Sequence, residues 1–295
     1  MKVRIGVGMG PLDGDPAVLG RLVDDLDELG FDSLWLPEVL TAPTLDPLAA
    51  LAWAAAHNPR LKLGTTMLLP GRNVVRLAKQ LATLDRLSAG RLLVTFVPGL
   101  AQDPERGAVG VAGPEKGPRM DEALPLLRRL WAGETVDHDG PVGSFDQVTL
   151  APLPVQEPLE FWLGGMVPAA LERCGRYADG WLPSACTPAE AAAGKVVIDE
   201  AASAAGRAIS PEHFGVSLAY APGPLEPAML AALGRSRRGV DPATVVPAGY
   251  DALRAALEAF LAVGFSKFVV RPLARPDSWR AELEALAGAV GGLQT

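Results

Sequence analysis

Short apolar runs alternate along the chain with longer stretches whose apolar residues return every three or four positions. The first run, residues 3–9, ends at Gly10-Pro11. Asp15-Pro16 then has the form of a helix N-cap with proline at the first helical position. Val18, Leu19, Leu22, Leu26 and Leu29 continue at helical spacing until Gly30. The same alternation repeats along the chain. Strands are expected at 31–36, 61–69, 91–97, 160–163, 180–182, 214–220 and 267–270. Helices are expected at 44–57, 73–87, 119–131, 168–178, 188–207, 250–263 and 277–290.

Eight strands alternating with eight helices predict a parallel sheet covered by helices. Over 295 residues they favour a single closed (β/α)8 TIM barrel with insertions, in one domain spanning 1–295. An open doubly wound sheet is the competitor. No Ser/Gly linker splits the chain, and no internal repeat has a fixed period. The extra length falls in three places. Residues 98–117 hold five Gly and three Pro and are expected to form a long loop. Residues 133–158 begin with a hairpin-like stretch, with a tight turn at His138-Asp139-Gly140. Residues 221–248 are Pro-rich, with a short helix at 226–234.

Composition narrows the chemistry. Hydrophobic residues make up 49% and charged residues 21%, a globular balance. The net charge of −7 argues against nucleic acid, whose binders carry a basic stripe. No stretch approaches the ~20 apolar residues of a membrane helix, and the N-terminus lacks a signal-peptide pattern. Two cysteines, Cys174 and Cys186, suggest a reducing, cytoplasmic setting without a disulfide framework. With His57, His138 and His213 they form no metal-ligand spacing. Gly-x-Ser-x-Gly and Walker patterns are absent. An enzyme of this composition would rely on a bound organic cofactor.

Gly6-Val-Gly8-Met-Gly10 suggests a dinucleotide fingerprint, with Glu38 as the ribose-binding acid. Gly6 and Gly8 lie inside the apolar run, however, rather than in the turn after it. Small residues there would instead make room inside a barrel.

Several segments carry a family resemblance. They are Leu29-Gly-Phe-Asp-Ser-Leu-Trp-Leu-Pro-Glu38, Leu63-Gly-Thr-Thr-Met67, and Leu77-Ala-Lys-Gln-Leu-Ala-Thr-Leu-Asp-Arg-Leu-Ser-Ala-Gly-Arg91. Further on come Pro152-Leu-Pro-Val-Gln156, Phe161-Trp-Leu-Gly-Gly165 and Tyr177-Ala-Asp-Gly-Trp181. In order and spacing these resemble the bacterial luciferase-like monooxygenase superfamily, which includes flavin monooxygenases and oxidoreductases using the deazaflavin coenzyme F420. The resemblance runs from about residue 3 to 290.

The resemblance implies a (β/α)8 barrel with its site at the C-terminal strand ends. It places Thr65, Thr66 and Met67 behind the flavin ring, where relatives have a non-proline cis peptide in a bulge. Gly164, Gly165 and Met166 would present backbone N–H groups to a phosphate. Val97 and Gly99 would flank the ring. Arg271 would bind a phosphate or carboxylate. Glu38 is the one candidate acid; the His that often follows it in relatives is Val39 here. Pro98 and Met166 also depart from the usual pattern and remove donors. Glu105 and Arg106 are candidate substrate contacts, and Trp181 could stack on a ring.

These features imply F420-dependent hydride transfer with a small organic substrate, or an FMN-dependent monooxygenase. Rich Ala, Gly, Pro and Arg usage fits a GC-rich coding bias, as in many actinobacteria, where deazaflavin relatives abound. A cofactor-poor homologue that binds a small ligand, and a Rossmann dehydrogenase, remain as alternatives. A homodimer is expected from the family.

Overall fold

The computed structural model describes residues 1–9, 15–99, 104–226, 230 and 241–295. In chain order its strands are β1 (Arg4–Gly8), β2 (Ser33–Pro37), β3 (Lys62–Leu68), β4 (Leu92–Val97), β5 (Thr135–Gly140), β6 (Gly143–Thr149), β7 (Phe161–Leu163), β8 (Gly180–Trp181), β9 (Gly215–Tyr220) and β10 (Lys267–Pro272). Eight of them form one parallel sheet in the order β8-β7-β4-β3-β2-β1-β10-β9. Bridges from Trp181 to Phe214 and from Ser184 to Ser217 join β8 to β9 and close the ring. The chain is a (β/α)8 barrel, as its alternation implied, and the open sheet is excluded.

The outer layer contains α1 (Pro16–Glu28), α2 (Pro47–His57), α3 (Val74–Leu87), α4 (Glu105–Ala108), α5 (Gly113–Trp131), α6 (Pro168–Tyr177), α7 (Pro188–Ala204), α8 (Tyr250–Ala262) and α9 (Trp279–Val290). Side-chain caps fix several of their starts. Asp15, Asp46, Asn73 and Ser278 each accept an N–H from the first turn. Thr187 and Glu190 make a reciprocal capping box. The longer helices lay apolar stripes on the outer face of the strands; in α1 the stripe is Leu19, Leu22, Val23 and Leu26. No described helix is long and apolar enough to cross a membrane.

The structure corrects the reading in three places. The stretch at 98–117 is not all loop. It contains α4, and α5 starts at Gly113 and runs 19 residues through Pro118 and Pro125. An interior proline costs a helix about 3 kcal/mol. Burial of Met120, Ala123, Leu124, Leu127, Leu130 and Trp131 offsets that cost. In the second insertion β5 and β6 pair antiparallel as a hairpin, but His138 sits in β5 and the turn lies at Pro141-Val142. The third concerns β10, which extends to Pro272, so Arg271 belongs to the strand. Gly6 and Gly8 are strand residues of β1, as their place in the apolar run implied, so they form no dinucleotide turn. The short helix expected at 226–234 falls largely outside the described residues.

Candidate active site

Strand side chains alternate between the barrel lumen and the helical layer. At mid-height the lumen is filled by Trp35, Leu182 and Val269, with Leu93 and Trp162 packed against them. Glycines on neighbouring strands make the space. A Cβ on Gly64 would overlap the Trp35 indole, one on Gly6 would overlap Ser33 and Trp35, and one on Gly180 would overlap Trp162. Trp35 Nε1 donates to Ser33 Oγ at 2.9 Å, which fixes the indole across the barrel. The two indoles and their aliphatic neighbours form a septum that separates an upper chamber from a lower one. The upper chamber opens at the C-terminal strand ends, where barrel enzymes place their chemistry.

Continuing the alternation upward puts Pro37, Thr66, Thr95, Gly164 and Arg271 on the wall of the upper chamber. Thr95 is fully buried, and its Oγ1 has no hydrogen-bond partner. A buried hydroxyl without a partner costs about 1–3 kcal/mol, so it marks a place where a ligand atom would be welcome. Arg271 runs its stem beside Gly8, where a Cβ would come within 3.3 Å of Arg271 Cβ. No described residue pairs with its guanidinium, and burial pulls the guanidinium pKa below its ordinary range. Thr95 on β4 and Arg271 on β10 stand four strands apart in a ring of eight, on opposite walls.

The other expected residues divide. Thr66 is partly exposed and faces the chamber. Thr65 and Met67 do not: both are fully buried on the outer face of β3. Thr65 Oγ1 donates to the Leu36 carbonyl at 3.0 Å, and Met67 belongs to the shell core. The expected cis-peptide bulge is also missing. β3 pairs without interruption with β2 over Lys62–Thr66 and with β4 over Leu63–Leu68. The cis bonds among the described residues are both prolyl, at Ala151-Pro152 and Glu157-Pro158. Unbroken pairing on both sides leaves no place for a bulge.

Glu38 sits at the mouth, but its carboxylate is fully engaged. Oε2 accepts the Leu68 N–H at 2.8 Å and Oε1 pairs with Arg72. Arg72 Nε in turn donates to the Leu68 carbonyl at 2.9 Å. The acid therefore clamps the β3 end to its loop rather than facing a substrate. Glu105 is likewise structural. It is buried at the start of α4 and accepts the N–H groups of Leu40 and Thr41 and the Thr41 hydroxyl, at 2.9–3.1 Å. Arg106 is exposed. Val97 and Gly99 form one rim of the mouth: Val97 packs on Leu68, Val109 and Val111, and Gly99, at φ +82°, leaves room for Leu68.

Gly164 donates its N–H to the Phe96 carbonyl at 3.1 Å, so that donor belongs to the sheet. Gly165, at φ +105°, turns the chain toward α6. That helix has no side-chain N-cap, and Met166 lies in the turn just before it. Trp181 is not at the mouth. It is fully buried, donates Nε1 to the Gly165 carbonyl at 3.0 Å and packs on Phe265. Cys174 and Cys186 are buried, and burial drives the Cys174 thiol pKa far up. Among the described residues no group of His, Cys, Asp and Glu could hold a metal.

The sequence reading missed Thr95, Trp35 and Trp162. Period-two counting from Leu93 finds Thr95. The glycines at positions 6, 64 and 180 were the trace of the indoles.

Residues 3–265 match the family described as luciferase-like monooxygenase. The chain is 30% identical over 179 residues to an F420-dependent glucose-6-phosphate dehydrogenase of Kineococcus radiotolerans, which covers 55% of this chain and 52% of that one. It is 29% identical over 186 residues to a sulfoquinovose monooxygenase of Agrobacterium fabrum, covering 60% and 46%. The chain thus spans about half the length of the curated relatives it matches. An F420-dependent secondary alcohol dehydrogenase solved with an F420-acetone adduct superposes over the whole of both chains, with a TM-score of 0.83 at 18% identity. That is a likeness of fold.

Proposed function

Because the chain belongs to the luciferase-like monooxygenase family, we propose that its upper chamber holds coenzyme F420 and serves hydride transfer to or from a small organic substrate. The observation that carries this is the pairing of Thr95 and Arg271. A hydroxyl and a guanidinium, neither with a partner among the described residues, stand on opposite walls above an apolar indole floor. That arrangement suits a flat ring with a polar, electron-rich edge. When bound, the deazaflavin would supply a ring carbon able to give or take a hydride.

The protein's own residues would do four things. The Trp35–Trp162 septum closes the chamber from below and excludes water from that side. Arg271 would hold negative charge on the bound molecule; in a desolvated pocket such a charge pair is stronger than in water. Thr95 and Thr66 would orient the ring through their hydroxyls. The turn at Gly165-Met166, ahead of α6, would receive a phosphate from the cofactor tail. Glu38 is occupied and no histidine lines the chamber among the described residues, so the site fits positioning better than acid–base work.

The same features accommodate FMN, and similarity to a sulfoquinovose monooxygenase supports an FMN-dependent monooxygenase as the second reading. Absorption titration of the purified protein with each cofactor decides between them. F420 is expected to bind at least tenfold more tightly than FMN, and Arg271→Met to weaken that binding by tenfold or more. Saturable binding of neither cofactor would refute both readings and leave a ligand-binding homologue.

A further inference from the structure

Above Thr95 the wall of the upper chamber turns apolar. Val97 ends β4 with its side chain leaning toward β7: a Cβ on Gly164 would come within 2.8 Å of Val97 Cγ1. Val97 packs in turn on Leu68, Val109 and Val111, a small cluster set apart from the main core. That cluster backs the mouth on the β3–β4 side. The rim continues in kind. Leu40, in the loop after β2, is 49% exposed, and Val167, just ahead of α6, is 64% exposed. The two loops leave strands three apart in the ring. Val39 and Met166 beside them are half-buried. The Leu40 N–H donates to Glu105 Oε1 at 3.0 Å, so the buried acid of α4 fastens the β2 loop to the segment after β4. Singly, exposed aliphatic side chains are ordinary; around one opening they make an apolar approach.

The charges at this end are engaged within the chain. Glu38 holds Arg72, Glu105 takes three donors, and Arg106, Lys116 and Arg275 have partners. Among the described residues of the chamber only the Arg271 cation is left, and the cofactor reading assigns it. A phosphate or sulfonate on a second molecule would lose its water here with no cation to receive it, which is costly. A hydroxyl or carbonyl group needs only a hydrogen bond. Below the septum the ring of charges is likewise satisfied: Arg4 and Lys62 pair with Asp32, Lys267 lies beside Glu212, and Glu160 lies beside His213.

On the reading of the upper chamber as the F420 site, we propose that the substrate is an uncharged, mainly apolar alcohol or ketone. Its one polar group enters the chamber, and its apolar body lies along Val97 toward Leu40. Oxidation of the alcohol sends a hydride and the hydroxyl proton to the oxidised cofactor and leaves the ketone; reduction is the reverse. Leu40 and Val97 then set specificity by the apolar surface they offer.

Titration calorimetry of the F420-loaded protein with 2-butanol, 2-hexanol and 2-octanol tests this, and the same series is run on the protein without cofactor. Affinity is expected to rise about three- to fourfold with each added methylene, as the transfer of a CH2 from water requires. Glucose 6-phosphate and inositol, one charged and one polyhydroxylated, are expected to bind at least tenfold more weakly than 2-octanol. Val97→Thr and Leu40→Ser should each weaken 2-octanol by threefold or more, and Leu40→Ser should do so with F420 affinity and the thermal midpoint unchanged. If Val97→Thr does not fold, Leu40→Ser decides. Flat affinity along the series, tighter binding of glucose 6-phosphate than of 2-octanol, or unchanged affinity in the folded variants would overturn the proposal while leaving the cofactor reading intact. Failure of F420 to bind would refute the cofactor reading instead, and the methylene series on the free protein would then still decide whether the chamber takes apolar ligands.

Discussion

The septum rests on glycines, and Gly64 is the most exacting. Its φ lies in the ordinary range, so alanine is allowed by the backbone, yet an added Cβ would overlap three atoms of the Trp35 indole, the farthest of them 2.7 Å away. The ring cannot retreat downward without breaking its hydrogen bond to Ser33. Overpacking a filled core costs about 1–3 kcal/mol, and losing the buried indole hydrogen bond adds roughly 0.5–1.5 kcal/mol. Gly64→Ala is therefore expected to destabilise the protein by about 2–4 kcal/mol. Trp35→Ala alone should cost about 3–5 kcal/mol through the cavity it leaves. In that background Gly64→Ala should cost nothing and gain roughly 0.5 kcal/mol, since glycine is a poor strand residue. Urea unfolding of the four proteins, read by circular dichroism, measures the cycle. Equal costs of Gly64→Ala with and without Trp35 would show that the indole does not occupy the space beside Gly64, and the two-chamber description would fail with it.

Three further outcomes follow from the geometry. Glu38→Gln removes the charge that holds Arg72; breaking a buried pair costs up to about 3–5 kcal/mol, less here because Arg72 is partly exposed, while the pH profile of kcat should stay unchanged because Glu38 moves no proton. Tyr220 and Tyr250 both donate to Glu282 Oε1, and burial followed by that bond raises the Tyr250 pKa from 10.0 to about 12. The unfolded chain therefore gives up this proton first, so its contribution to stability is intact below pH 10 and lost as pH rises to about 12; Tyr250→Phe should flatten that alkaline decline in a thermal-midpoint series. Both thiols are buried and should resist a thiol reagent in the native protein while reacting fully in denaturant; rapid native reaction at Cys174 would contradict its burial.

The barrel was legible because helix caps and glycine stops are local. Asp15 and Asn73 each mark a helix start by a side-chain oxygen that the structure uses, whereas the helix expected from 44 begins at Pro47 behind the Asp46 cap. The start of α5 was not legible, since glycine and proline at 113–118 signal a loop and only packing at Met120, Leu124 and Leu127 overrides them. Strand alternation was visible, but its sense was not. In a closed parallel barrel both faces of a strand are buried, so Thr65-Thr66-Met67 does not say which side chain faces the lumen. Pairing of Thr66 with Pro37 and Thr95 settles that. Glu38 was visible as an acid at a strand end, while its engagement with Arg72 joins residues 34 positions apart and leaves no local pattern.

The septum has a further consequence for how the molecule can change. Two ends of a barrel that share walls usually share the effects of mutation, because strain passes along each strand. Here one layer of packed side chains interrupts the interior, so coupling through the lumen must pass through Trp35 and Trp162, and the rest must run along the strands or the outer shell. Substitutions in the ring of charges below should add independently to substitutions around Thr95 and Arg271 above. One end could then drift or be redesigned for stability while the other keeps its chemistry, and the two indoles are the positions where that independence would be lost.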